Sequence, residues 1–402
     1  MTTRRLPVRP DIAQLRRDAE ELLITDPAAR SLNEARALLA RSYQAVDWER
    51  LEVACALAEA MWTDDIATVR AVVTARPELI HQSVLIRDSN WGAPLSYAAN
   101  LGRNEIITML RELGATDLEH AFGRAALQGH VDTARLLHTM LGAPTPSTDA
   151  LDGAAYTLNA AGTALLFELG AAAVDEHGTN VAPVATVLQT DSRDPHAKHV
   201  ILQLYEDHGF VFPVTAPMAF HRGRIDLLEA HLARDAELLT RTFTFAEIFP
   251  PELGCHGETY PRTSLDGVTL LHLAVEFGEL DIATWLLSHG MDVDVPAARD
   301  TDGFGGQTAL FHAVVCYLNF WTNYRNETGD PTFAKVLLAL GANPNVLASL
   351  RERLWDGNPW QQVGERTHHD VTPLAWGADY HKRIVVNAAA MTLIAEAGGR
   401  LA

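Results

Sequence analysis

Residues 267–294 read GVTLLHLAVEFGELDIATWLLSHGMDVD, and their apolar positions follow a helical period that is interrupted once. Thr269 precedes the first apolar run and is placed to cap a helix that Gly278 ends. A second apolar run at 282–287 has the same spacing and stops at Gly290, where a left-handed backbone is favoured. The pattern predicts two short antiparallel helices joined by a tight turn.

The same plan of turn, helix, Gly and second helix recurs along the chain. Trp91 to Thr116 and the interrupted unit that starts at Gly306 repeat it strongly. Glu59 to Leu79 opens the series, and Arg124 to Pro144 and the remaining copies are weaker. Neither helix of a unit is long enough to bury its apolar side alone, so the units have to stack on one another. We count about nine such units, with a period near 30 residues.

These residues resemble the ankyrin repeat, whose consensus DGxTPLHxAAxxGxxxIVxLLLxxGADVN is matched best by Asp266 to Asp294. The resemblance extends over roughly Glu59 to Gly399. It implies an all-α ankyrin-repeat solenoid. The consensus His is kept only at His272; the other strong or recognisable units carry different residues there, namely Ser96, Phe311 and Ala375.

Residues 1–58 lack the ankyrin spacing and contain three helical patterns, Asp11–Leu23, Ser31–Ser42 and Asp47–Ala60, the last of which runs into the first unit. They resemble the leader segment ahead of the repeats in many bacterial ankyrin proteins. Two roles stay open for them: an N-terminal helical cap on the first apolar face, or an arm that docks a partner. We therefore expect a capping segment at 1–58, repeats with short fingers at 59–239, and repeats with long inserted finger loops at 240–402.

Long segments without repeat character interrupt the last four units. Three of them fall where ankyrin repeats carry their fingers, at residues 240–265, 296–305 and 346–370. A further insertion, YLNFWTNYRNETGD in the main, separates the two helices of the unit that starts at Gly306. Loops of this length are uncommon unless they are functional or disordered, and their aromatic content favours order. We expect the three finger segments to cover a ligand-binding groove.

Composition narrows the classes of partner. The formal charge of −19 repels a phosphate backbone and no basic patch is evident, which argues against nucleic acid. No apolar window is long enough to span a membrane, and the first residues lack the apolar stretch of a secretory signal. Three widely spaced cysteines suit a reducing compartment. We expect a bacterial, cytoplasmic protein without membrane contact.

Polar and aromatic side chains in the last four units supply the candidate site. Acid–base candidates in the first finger segment are Glu247, Glu252 and His256, because aromatic cover raises a carboxylate pKa through desolvation. Cys255 beside His256 is a weaker candidate nucleophile. The candidate ligand-binding residues are His221, His272, Asp302, Phe304, His312, Trp355, Trp360 and His369. For each His, the alternative is a surface residue or a linker between turns. For the tryptophans, the alternative is that they cover the last repeats.

Two functions remain open on this evidence. The resemblance implies a binding protein that uses its concave palm and long fingers to hold a protein or small-molecule partner. The alternative is an enzyme that performs acid–base catalysis on a small molecule beneath the finger loops. We expect no cofactor, and no metal site because HxxxH, HxH and CxxC spacings are absent from the sequence.

Overall fold

A computed structural model describes residues 4–258, 262–316, 329–355 and 362–401. The chain forms two compact units. The first comprises Met1–Ala154 and Ala161–Ala171, and the second comprises Ala155–Ala160 and Ala172–Ala402.

Helices dominate the described part of the chain. The α-helices are α1 Ile12–Thr25, α2 Leu32–Ser42, α3 Trp48–Trp62, α4 Ile66–Ala75, α5 Pro94–Asn100, α6 Asn104–Glu112, α7 Leu118–Gln128, α8 Val131–Met140, α9 Thr148–Tyr156, α10 Ala160–Glu168, α11 Val184–Gln189, α12 Pro195–Asp207, α13 Ala216–His221, α14 Ile225–Arg234, α15 Phe245–Ile248, α16 Leu270–Phe277, α17 Leu280–Ser288, α18 Ala309–Val314, α19 Thr332–Ala339, α20 Pro373–Asp379 and α21 Ala388–Glu396. Short 3-10 helices occupy Pro77–His81, Ala236–Leu239, Pro251–Leu253 and Arg383–Val385.

The first three helices begin at capping side chains that the sequence supplies. Asp11, Ser31 and Asp47 each accept a hydrogen bond from a backbone N–H in the first turn, which satisfies a donor that the helix leaves unpaired. Within the first unit, α1 packs against α2 and α3, and α5 packs against α6 and α7. The three helical patterns predicted before residue 60 are therefore present with nearly the same bounds.

The pair α16 and α17 shows how a repeat folds. Thr269 caps α16 and forms a reciprocal cap with His272, and every residue of α16 is buried. Gly278 ends the helix with φ at 79°, a left-handed conformation that strains residues with a Cβ. In the second unit α16 packs against α17 and α18, and α18 packs in turn against α19, α20 and α21. Stacked helix pairs thus bury faces that neither helix could bury alone.

The prediction of an all-α fold is wrong at the third finger segment. Strands β1 Ala348–Trp355 and β2 Gln362–Val371 pair as an antiparallel hairpin. Leu350 and Glu352 on one face of β1 are buried, whereas Arg351 on the other face is partly exposed. This period of two belongs to a strand with one covered face, and the helical repeat pattern gives no sign of it.

The hairpin carries an extra residue on β2 at two places, between the partners of Ala348 and Leu350 and between those of Leu354 and Trp355. Ala348 pairs with Val371 and Leu350 pairs with His368, so two residues of β1 span the same distance as three of β2. Asp370 lies in this first bulge with φ at 51°, in the left-handed region where Asp is tolerated better than most residues. At both places β1 itself carries no extra residue.

Other predictions concern parts that the structure leaves undescribed or untested. Most of the insertion YLNFWTNYRNETGD lies outside the described residues. The division at 58 and 239 stays a prediction, as do the cytoplasmic location and the bacterial origin. No described helix combines the length and the apolar character needed to cross a lipid bilayer.

We expect Gly278→Ala to lower the free energy of unfolding of the second unit by about 1–2 kcal/mol, because an L-residue is strained at this φ. The added Cβ meets Pro195 Cγ at 3.6 Å and Pro195 Cδ at 3.9 Å, both ordinary contacts, so the cost is conformational. Urea titration measures it. Gly257→Ala is the matched control, since its Cβ would meet no atom within 4 Å, and equal effects of the two variants would contradict the prediction.

Candidate functional site

A cleft of about 830 Å³ lies in the second unit, between the three segments that interrupt the repeats. Its lining residues fall between 242 and 267, between 298 and 307, and between 350 and 365. We call it the three-segment cleft. Its charged lining residues are Glu258, Asp266, Arg299, Asp300, Arg351, Arg353 and Glu365.

Arg351 of β1 links the second segment to the hairpin. Its guanidinium forms ion pairs with Asp300 and, at 2.8 Å, with Asp302, and its Nε lies 3.8 Å from Glu365 of β2. The guanidinium also lies over the ring of Phe304, 3.9 Å from the centroid. These groups are partly exposed, so solvent screens each pair and its contribution to stability is small. The contacts orient the wall of the cleft more than they stabilise it.

Arg353 makes the corresponding link to the first segment. It donates to the backbone oxygen of Glu258, and its Nη2 lies 3.6 Å from the Glu258 carboxylate. That carboxylate also accepts a hydrogen bond of 2.5 Å from the backbone N–H of Leu265. The Glu258 carboxylate therefore contacts both the backbone N–H of Leu265 and Arg353 of the hairpin.

The second segment turns back on itself and joins the start of β1. Arg299 forms an isolated bridge with Gly305, and Gly305 forms another with Ser349. A Cβ at Gly305 would lie 2.1 Å from the backbone oxygen of Ala298, so this close approach requires glycine. Arg299 donates to the backbone oxygens of Gly303, at 3.0 Å, and Leu347, at 3.4 Å.

The buried carboxylate of Glu352 fixes the hairpin on the helices behind it. Glu352 is fully buried and accepts hydrogen bonds from Arg366 at 2.5 and 2.9 Å, from His368 at 2.8 Å and from His381 at 2.5 Å. Burial raises the pKa of this carboxyl, but the hydrogen bonds from His381, His368 and Arg366 outweigh it, so the pKa is lowered. His368 also packs edge-on against Trp376 of α20.

The floor of the cleft comes from the short helix α15. Phe245 and Phe249 lie one turn apart with ring centroids at 4.7 Å, and both line the cleft. Thr244 caps the helix and shares a reciprocal cap with Glu247, whose carboxylate also binds Arg241 at 2.9 Å. Capping thus gives Glu247 a structural task at the start of α15.

The structure does not bring the three predicted acid–base residues together. Glu247 and Glu252 line a separate cavity of about 410 Å³, whereas His256 lines the three-segment cleft. The backbone hydrogen bond from Thr244 and the contact with Arg241 lower the pKa of Glu247, opposite to the direction that the desolvation argument requires. Burial and the nearby Glu252 raise the pKa of the Cys255 thiol to about 12, which leaves it a poor nucleophile.

The three predicted ligand-binding histidines that lie on helices, His221, His272 and His312, are fully buried. His272 Nε2 donates to the backbone oxygen of Gln307 at 2.9 Å and its Nδ1 lies 2.8 Å from Thr269 Oγ1, so it joins neighbouring turns. Burial, followed by the neighbouring His312, lowers the pKa of His272 to about 3.

His221 and His312 each contact buried polar side chains. Lys198 Nζ donates to His221 Nδ1 at 2.8 Å, and His221 Nε2 donates to the backbone oxygen of Ile248 at 3.0 Å. Burial and Lys198 together hold the pKa of His221 well below its usual value. His312 Nδ1 lies 3.3 Å from Glu276, whose carboxylate also binds Arg193 at 2.8 Å. These contacts give both histidines structural partners.

Of the remaining predicted residues, those that the structure describes lie in the hairpin or in the second segment beside it. Phe304 lines the cleft and lies 5.1 Å, centroid to centroid, from the ring of His369 on β2, while Asp302 pairs with Arg351. Trp355 is the last residue of β1 and its backbone N–H lies 3.4 Å from His381 Nε2. Trp360 lies outside the described residues. All these assignments as ligand-binding residues stay predictions.

Sequence reasoning missed the three arginines that line the cleft, Arg299, Arg351 and Arg353. The signal available was the alternation in SLRERLW, where Arg, Arg and Trp alternate with Leu, Glu and Leu. It reads as a strand with one polar face. Within the described ranges, no three His, Cys, Asp or Glu side chains converge as ligands for a metal ion.

Comparison with known proteins identifies the repeats in this part of the chain. The family model for ankyrin repeats (3 copies) matches residues 244–348, which include two of the three segments around the cleft. Ankyrin repeats are therefore confirmed there, as the pattern around Asp266 to Asp294 predicts.

Individual relatives are more remote. The ADP-ribosylation factor GTPase-activating protein AGD4 of Arabidopsis thaliana is 33% identical over 86 residues, which are 21% of this chain and 9% of that protein. The chain thus matches less than a tenth of that relative. The crystal structure of the human ASB11 ankyrin repeat domain covers 77% of this chain and 100% of its own, with 17% identity and a TM-score of 0.25.

We expect Glu352→Gln to release the hairpin, because the variant leaves Arg366, His368 and His381 without their shared anion. The free energy of unfolding should fall by about 3 kcal/mol, near the lower end for a broken buried pair because Arg366 is partly exposed. Amide hydrogen exchange should accelerate first in β1 and β2. Glu365→Gln on the exposed face is the matched control; equal exchange in both variants would contradict the anchoring role.

We also expect His272 to make stability depend on pH. Its folded pKa of about 3 lies below the unfolded value of about 6.5, so the unfolded state binds a proton that the folded state refuses. Its contribution is complete above about pH 6.5 and falls by about 1.4 kcal/mol per pH unit below it. Urea titrations of wild type and His272→Gln should therefore converge as the pH is lowered towards 4.

Gly278→Ala removes no titrating group, so its difference from wild type should stay constant over the same range. A difference between wild type and His272→Gln that stayed constant or widened at low pH would show that His272 is not the group responsible.

Proposed function

We propose that this chain is a protein-binding module and that its partner occupies the three-segment cleft. The observation that carries the proposal is the position of the cleft, which three inserted segments build beside repeats matched by the ankyrin model at 244–348. Ankyrin repeats generally mediate contacts between proteins. The inserted segments add surface to the repeats without replacing any of their helices.

The composition of the cleft supports a protein partner. Its lining combines Phe245, Phe249 and Phe304 with three arginines, and aromatic and Arg side chains are the types most often found at the centre of protein interfaces. Its carboxylates already neutralise Arg351 and Arg353, so the surface is nearly balanced in charge. A partner therefore gains mainly from packing and from hydrogen bonds.

The enzyme hypothesis has less support. Acid–base catalysis needs two groups within reach of one substrate, and the candidate carboxylates Glu247 and Glu252 line a different cavity from His256. Catalysis and a small-molecule ligand stay predictions that no geometric observation favours over a protein partner.

The test uses the immobilised full chain and quantitative mass spectrometry of the proteins that it retains. Arg299→Glu reverses a charge in the cleft, and Arg234→Glu makes the same change at an exposed residue of α14 that lines no described cavity. We expect Arg299→Glu to reduce retention of a specific protein at least about tenfold, equivalent to about 1.4 kcal/mol. Arg234→Glu should retain it as wild type does. The proposal fails if the two variants retain the same proteins.

A further inference from the structure

We infer that β1 presents to the three-segment cleft an edge at which no described residue pairs with the backbone of Arg351 or Arg353, and that an extended segment of a partner protein pairs there as a third strand. The inference rests on the proposed function and gives the partner a chemical class. It depends on the direction in which the backbone groups of β1 point, and the hydrogen bonds of the hairpin determine that direction.

Ser349 establishes which edge of β1 faces away from β2. Its backbone N–H donates to the Gly305 oxygen at 3.2 Å, and the Gly305 N–H donates to the Ser349 oxygen at 2.6 Å. Both polar backbone groups of Ser349 are thus directed to the second segment. Successive residues of a strand direct their backbone groups to opposite edges, so Leu350 faces β2, consistent with its pairing to His368.

The alternation continues along β1 because the extra residue at each of the two register shifts lies on β2. Every residue from Leu350 to Leu354 has an opposite residue on β2, including Arg351 with Thr367 and Arg353 with Glu365, so the edge is assigned by the alternation from Ser349 and not by the pairs themselves. The backbone N–H and C=O groups of Arg351 and Arg353 therefore point to the same edge as those of Ser349. Both residues also line the cleft.

On this edge Ser349 is paired with Gly305, and the backbone N–H of Trp355 lies 3.4 Å from His381 Nε2, so Arg351 and Arg353 are the positions between two occupied ones. Gly305 pairs with Ser349, but the chain before it turns back at Gly303, whose N–H donates to the Asp300 oxygen at 3.0 Å. Apart from the bonds within the β1–β2 pair, no described residue forms a backbone hydrogen bond with the N–H or C=O of Arg351 or Arg353. Strand pairing that begins at Gly305 thus stops where the cleft opens, and an added strand would continue it.

A second copy of this chain is a poor occupant of the edge. If two β1 strands paired antiparallel about Glu352, Arg351 of each would lie opposite Arg353 of the other. Like charges directly opposite on paired strands repel each other, and charged edge residues are a common protection against self-association. The edge therefore favours a different chain.

The charges of the cleft narrow the sequence of that chain. Arg299 is the lining arginine whose guanidinium has no carboxylate partner among the described residues; it donates only to the backbone oxygens of Gly303 and Leu347. Leu347 directly precedes β1, so an acidic side chain at this end of the added strand would neutralise Arg299. The ring of Phe304 beside Arg351 offers an apolar contact further along.

The test compares Arg351→Pro with Arg351→Ala in the full chain. Both variants remove the guanidinium with its ion pairs, but only Pro removes the N–H that points into the cleft. Pro is tolerated where a strand edge is unpaired, and pairing with β2 does not use this N–H. Thermal unfolding checks that both variants fold.

The probes are short peptides selected on the full chain from a random displayed library, with affinity measured by fluorescence anisotropy. We expect the selected peptides to carry an acidic residue and to bind Arg351→Pro at least about tenfold more weakly than Arg351→Ala. In wild type, bound peptide should slow amide exchange at Arg351 and Arg353 but leave Glu352 unchanged. The exchange measurement decides the matter if Arg351→Pro fails to fold.

The outcomes separate this inference from the function on which it rests. If Arg299→Glu abolishes peptide binding while Arg351→Pro and Arg351→Ala bind equally, strand addition is wrong and the cleft remains the binding site. If neither Arg299→Glu nor Arg351→Pro weakens binding, the cleft is not the site at all. Concentration-dependent dimers of wild type that Arg351→Pro abolishes would identify a second copy as the occupant and overturn the assignment to a different chain.

Discussion

The arrangement of the cleft depends on one buried carboxylate. A shift of one residue in the pairing of β1 with β2 would move each side chain of β1 to the opposite face of the hairpin. Glu352 is fully buried and surrounded by donors from Arg366, His368 and His381, so β1 has to keep the Glu352 side chain on the buried face of the hairpin. A carboxylate buried there without its hydrogen-bond donors, or buried against apolar side chains, would lower the free energy of unfolding by several kcal/mol. The orientation of Arg351 and Arg353 towards the cleft follows from this constraint.

The surface pairs around the cleft have a different role from that of the buried carboxylate. Exposed ion pairs contribute about 0–1 kcal/mol each, and salt screens them. The contacts of Arg351 and Arg353 therefore hold the walls only weakly, whereas backbone pairing between Gly305 and Ser349 and the buried hairpin face hold them firmly. A partner can displace the weak contacts without disturbing the segments that carry them.

Much of the helical fold follows from the sequence. Thr269, Gly278 and the apolar positions of 270–287 act within a few residues of one another, so their effects can be read locally, and the ankyrin repeat at 266–294 is predicted with its helix ends. The hairpin has only the alternation in SLRERLW as a local signal. Its burial pattern depends on Glu352, a residue type that reads as exposed until Arg366, His368 and His381 are brought to it from 14 to 29 residues away.

The sequence predicts the candidate site only in outline, again because the details depend on residues that are distant in sequence. Sequence position indicates that three segments share one edge of the repeats, but it does not indicate which way each side chain points. Glu247 lies in the correct segment and is used by its own helix cap; His272 and His312 lie in the correct units and are buried within them. Arg351 and Arg353 attract no attention as isolated charges. They become informative only when strand alternation places their side chains in the cleft and their backbone groups along an edge where no described residue pairs with them. The charges that disfavour pairing with a second copy are compatible with a different chain.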